Sequence, residues 1–222
     1  MDILLVILMI VLSIFFIFVT QYLIEKNGII NIYLIYDIVA FLLSFKIFEM
    51  MKININANIV LSSLFTSLTY LIIEKTNAKE YKDIIIKTIS VNIIISICFL
   101  VFTLYISSIN DNTFIDIKNI YLDNYKILIS YPIITLINQI TILYIYNSIK
   151  DSIKRIKFKI ILTNLTVLMI ESLLFSLSSY IFKISFINLF ILVISNYLIK
   201  VVITTIYAPI ISYLVELKKV KL

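Results

Sequence analysis

Three charged side chains stand inside long apolar runs of this 222-residue chain: Asp37, Glu171 and Lys200. A charge at the centre of a membrane-crossing helix costs about 2.5–3.5 kcal/mol on insertion scales, so each marks a functional position by default. Glu171 shares a helix face with Asn164 and Ser178, seven residues to either side. Lys200 is flanked at four-residue spacing by Asn196 and Thr204. Asn138 and Gln139 mark the preceding run, and Asn92 and Ser96, four apart, mark an earlier one. Amides and hydroxyls in such positions commonly tie helices together, at about 0.6 kcal/mol each. For Glu171 and Lys200 the simpler expectation is a polar, solvent-reachable cavity that hydrates both charges, and a buried mutual ion pair is the alternative. Asp37 is expected to face Lys46 or that cavity. Glu171, and Asp37 second to it, are the carboxylates suited to carry a proton.

Other chemistries are excluded by count. The single glycine, Gly28, rules out phosphate-cradling loops, which need several. There is no histidine, which removes the common zinc, haem and triad chemistries. Cys98 stands alone in an apolar run, read as packing or lipid-facing. No metal or cofactor is expected, and no nucleophile–base constellation is present, so the chain is not read as an enzyme.

The elements that must position these residues follow from composition. The chain is 62% hydrophobic and 14% charged, with a mean hydropathy of +1.09. That is far from a soluble domain, which is about a quarter charged. Apolar runs fall at 3–23, 29–48, 55–73, 84–108, 127–149, 159–182 and 185–216. Each has about 19 residues or more, enough as helix to cross a core of roughly 30 Å. They predict an all-α bundle of about seven transmembrane helices forming a single domain over 1–222. A short turn is expected at Gly28 and an external loop at 109–126. Pro209 is expected to break the last helix, because it leaves the carbonyl of Thr205 without its helical donor.

Thirteen basic residues lie on one side of that arrangement and five on the other. The asymmetry predicts an outside N-terminus and a cytoplasmic C-terminus. The net charge of +6 is scattered between the runs, so it reads as membrane orientation and not as nucleic-acid binding. The expected surroundings are the lipid bilayer of a bacterial inner membrane, and a homodimer is left open.

The segment NYLIKVVITTIYAPIISYL (196–214) resembles the last helix of the VUT family of queuosine-precursor transporters. Lys200 and Pro209 keep the family's spacing, with Asn196 where glutamine is usual. KIILTNLTVLMIESLLF (159–175) is similar to the family's preceding helix, with Glu171 and Ser172 on its Asp-Thr pair, Lys159 replacing an arginine and Leu168 a glutamine. ITLINQITILYIYNSIK (134–150) keeps a glutamine as Gln139, and IEKTNAKEYKD (73–83) resembles a cytoplasmic segment through Glu74, Lys75, Lys79 and Glu80. Lys46 falls where the family has a lysine at the end of an early helix. Tyr70 and Ile142 stand where the family carries carboxylates. The likeness covers a core at 29–217, with 3–23 as an extra N-terminal helix.

The resemblance implies import of a 7-deazaguanine base such as preQ0, preQ1 or queuine. Such a purine-like base presents N1–H and an exocyclic amine side by side, which one carboxylate can accept together. Glu171 is expected in that role, with Lys200 donating to the ring. Gln139, Asn196 and Asn164 complete the expected site, and Tyr197, Tyr207 or Phe175 would stack on the ring. The alternatives are a substrate-binding subunit that needs a partner ATPase and a non-transporting membrane accessory protein.

Overall fold

The computed structural model describes residues 2–50, 53–104, 112–181 and 183–219. Lys52, Asp111 and Lys221 lie outside them. The described chain is an all-α bundle with one small β-hairpin.

Helical backbone α1 runs over Asp2–Leu43. The Tyr36 hydroxyl nevertheless donates to the Ser13 carbonyl at 3.1 Å. A straight helix would hold those residues about 34 Å apart. The element therefore doubles back between them, and its two apolar stretches are Val6–Thr20 and Gly28–Leu43. The chain turns back between Ser13 and Tyr36, a stretch that includes Gly28, where a turn was expected.

The run at 29–48 does not stay helical to its end. After Leu43 a turn leads into strand β1 (Ile47–Met50), paired antiparallel with β2 (Ile53–Asn56), Ile47 opposite Asn56. The alternation of Ile53 and Ile55 with Asn54 and Asn56 has the period of a strand, and it lay hidden between two apolar runs. The hairpin takes residues from the second and third runs, so α2 begins at Ile59 and ends at Lys75. Its 17 residues pass through the middle of the bundle, buried from Ile59 to Ile73. Ser63, Thr66, Ser67 and Thr69 each donate to the carbonyl one turn back, at 2.8–2.9 Å. Those small side chains satisfy themselves and let neighbouring helices approach closely.

Helix α3 (Ala78–Leu104) lies at the edge, and α4 (Asn112–Asp123) is a short helix where a loop was expected. Helices α5 (Tyr125–Ile149), α6 (Ile156–Tyr180) and α7 (Phe186–Lys219) complete the bundle. Among the described residues four helices, α3, α5, α6 and α7, are long and apolar enough to cross a membrane. Helix α2 and the apolar stretches Val6–Thr20 and Gly28–Leu43 of α1 are shorter. Exposed apolar side chains such as Ile94, Leu100, Phe190 and Leu198 line the outside of the long helices, and so does Cys98. Surfaces of this kind suit lipid rather than water.

Two prolines sit within helices. Pro132 has no N–H for the Leu128 carbonyl, and Ser96 of α3 donates to that carbonyl instead at 2.8 Å. Pro209 does not break α7, contrary to expectation, and the helix continues to Lys219. Tyr207, Ala208, Ile211 and Leu214 are fully buried on either side of it, so packing holds the turn that the missing donor weakens. Lys159, expected as an orientation signal, is buried and donates to the Lys150 carbonyl at 2.6 Å, capping the end of α5.

Candidate functional site

Helices α6 and α7 pack against each other along their polar faces. Glu171 and Lys200 meet there, with Lys200 Nζ 2.7 Å from Glu171 Oε1 and both side chains more than nine-tenths buried. The alternative of a mutual ion pair is what the chain adopts. The expected solvent-reachable cavity is corrected, because both side chains are enclosed where the helices pack and each charge answers the other. The second carboxylate oxygen of Glu171 is buried and has no hydrogen-bond partner among the described residues. It belongs to a residue lining a small cavity with Ser62, Phe65, Tyr131, Ile134, Thr135, Asn138 and Phe175. The cavity has about 10 Å³ of room, roughly enough for one water.

Each helix supplies this cavity through its own periodicity. Tyr131, Thr135 and Asn138 recur at four and three residues on α5, Ser62 and Phe65 at three on α2, and Glu171 and Phe175 at four on α6. Of these, Glu171 and Phe175 were expected at the site. Ser62, Phe65, Tyr131 and Thr135 were not, and Asn138 was noted only as a marker of its run. The spacing of Tyr131, Thr135 and Asn138 was the available signal. Tyr197 and Tyr207 are not among the lining residues.

The other expected site residues hold the bundle together elsewhere. Gln139 donates to the Tyr33 hydroxyl at 2.6 Å, and its carbonyl accepts from Tyr81 at 3.1 Å. Asn164 donates to Ser67 on α2 at 2.8 Å. Asn196 accepts the Asn56 backbone N–H at 3.0 Å, which fastens the hairpin to α7, and the Tyr180 hydroxyl donates to the Asn56 side chain at 3.4 Å. None of the three lines the cavity beside Glu171. Each keeps one buried polar atom without a partner among the described residues: Gln139 Oε1, Asn164 Oδ1 and Asn196 Nδ2. Buried polar atoms are paired in the great majority of native interiors, so such a concentration is a property of the site to be explained.

Asp37 does not face Lys46, which is exposed, and is not among the residues that line the cavity. It is fully enclosed, with Asn92 Nδ2 donating to Oδ2 at 2.8 Å and the Tyr131 hydroxyl donating to Oδ1 at 3.2 Å. Tyr131 thus touches Asp37 through its hydroxyl and lines the Glu171 cavity as well. At the lysine-rich end, the Tyr70 hydroxyl donates to Glu74 at 3.3 Å, and Lys75 lines a shallow cleft with Ile29, Ile30, Ile72 and Thr76. Ile142 is fully buried in the apolar core.

Comparison with family models, with characterised proteins and with solved structures finds no match to this chain. The site is therefore read from its own geometry: a buried charge pair with one carboxylate oxygen unpartnered among the described residues, beside three aromatic rings and several small polar groups.

Proposed function

We propose that the chain is a carrier that brings a guanine-like base, of the queuosine-precursor type, across a bacterial cytoplasmic membrane, with its N-terminus outside. The carrying observation is the unpartnered Glu171 oxygen at a cavity flanked by Phe65, Tyr131 and Phe175. A base that donates N1–H and its exocyclic amine to both Glu171 oxygens would displace Lys200 from Oε1. Lys200 would then be free to donate to the ring carbonyl, so both charges stay partnered throughout. The ion pair acts as a lock that the substrate replaces. Phe65 and Phe175 offer faces on which the ring can stack.

Small-molecule sites usually enclose about 300–1,000 Å³, far more than is open here. Binding therefore requires α6 and α7 to part from α2 and α5, a movement natural to secondary carriers, whose sites lie between helices near mid-membrane. The resemblance of 159–175 and 196–214 to the VUT family favours the same substrate class. The chain would work without an ATPase of its own.

The test is complementation. A bacterium unable to make or import queuosine precursors receives the chain, the matching salvage enzyme and limiting preQ0, preQ1 or queuine, and queuosine in tRNA is measured. The expected result is restored modification that falls at least tenfold in Glu171→Gln. No restoration with any of the three bases, with the protein confirmed in the membrane, overturns the reading.

A further inference from the structure

Asp37 is a carboxylate that the substrate lock does not use. Its two side-chain partners both present hydrogens to it: the Asn92 amide at 2.8 Å and the Tyr131 hydroxyl at 3.2 Å. No lysine or arginine among the described residues is paired with Asp37. The titratable groups facing it are Tyr33 on its own helix, Tyr131 from α5 and Glu171 from α6. From α3 it meets the neutral Asn92. The Asn92 Oδ1 atom is buried and has no hydrogen-bond partner among the described residues.

We propose that Asp37 is a proton-binding site, coupled through Tyr131 to the Glu171–Lys200 pair. A proton taken from water adds to a carboxylate oxygen and makes Asp37 a neutral acid. Its new O–H needs an acceptor, and a half-turn of the Asn92 amide offers the otherwise unpartnered Oδ1 at the same place. The coupling follows from charge. While Lys200 sits on Glu171, the pair presents little net charge to Asp37. When Lys200 moves away, Glu171 keeps its hydrogen bonds from a neutral base but loses its counter-charge, which favours a proton on Asp37, and by linkage a protonated Asp37 favours the opened pair. This second half rests on the transport reading, in which the substrate opens the pair. One proton would then enter with each base.

The test uses the full chain in lipid nanodiscs and needs no substrate. Infrared difference spectra recorded across a pH titration report the C=O stretch of a protonated buried carboxyl group. We expect a titrating band that is absent in Asp37→Asn, and whose midpoint falls by about one pH unit or more in Glu171→Gln, because the Lys200 cation, now without its counter-charge, favours the ionised form of Asp37. Absence of any band that depends on Asp37 overturns the proposal, and so does a midpoint that Glu171→Gln leaves in place. Uptake of preQ0 into proteoliposomes is measured separately. Loss of uptake with the titration intact strikes the transport reading alone, whereas uptake without the titration strikes the proton site alone.

Discussion

Two buried carboxylates lie on either side of Tyr131 and are held in opposite ways. Glu171 has a cation at 2.7 Å and a buried second oxygen without a partner among the described residues. Asp37 has neutral donors on both oxygens and no cation among the described residues. The first arrangement keeps a full negative charge in the interior, ready to be taken over by another donor. The second suits a group that changes its own charge. The same side-chain chemistry thus serves two purposes, and what separates them is the neighbour each helix happens to bring.

The comparison can be broken most forcefully at the pair. Lys200→Met leaves Glu171 as an unpaired buried charge, which costs about 3–5 kcal/mol. It should lower the thermal unfolding midpoint in detergent more than any other single change considered. The double variant Glu171→Gln, Lys200→Met should recover most of that loss, and failure to recover it would mean that the pair is not the source of the cost. Next in size is Tyr131→Phe, which removes a hydrogen bond to a carboxylate and is worth about 1.5–3 kcal/mol if Asp37 is ionised. A smaller loss at acid than at alkaline pH would show Asp37 taking up a proton. The smallest effect is expected at Ser67→Ala, where a neutral interhelical hydrogen bond from Asn164 is lost, at about 0.6 kcal/mol. Its loss should be the same at every pH, which makes it the reference for the other two.

Much of the bundle was legible because hydropathy is a local property. The long runs at 84–108, 127–149, 159–182 and 185–216 correspond to α3, α5, α6 and α7, whose outward faces need only be apolar. The hairpin at 47–56 and the early start and stop of α2 were not legible. A window long enough to find a span averages away four residues of strand. The short helix α4 was missed for the same reason, since its 12 residues are too polar to register as a span. Within the site, Glu171, Lys200 and Asp37 could be read directly, because charges in apolar runs are conspicuous. The roles of Gln139, Asn164 and Asn196 could not. An amide in a membrane helix looks the same whether it ties α5 to α1, α6 to α2 or the hairpin to α7.

The sequence by itself determined that this is an all-α chain with several membrane-length helices and three charges among them, since composition and periodicity require no knowledge of neighbours. Only the tertiary structure decided which charge meets which. Glu171 and Lys200 are 29 residues apart in the chain, and Asp37 and Tyr131 are 94 apart. Contacts over such separations depend on how helices rotate and pack, and side-chain volume summed over the whole bundle sets that.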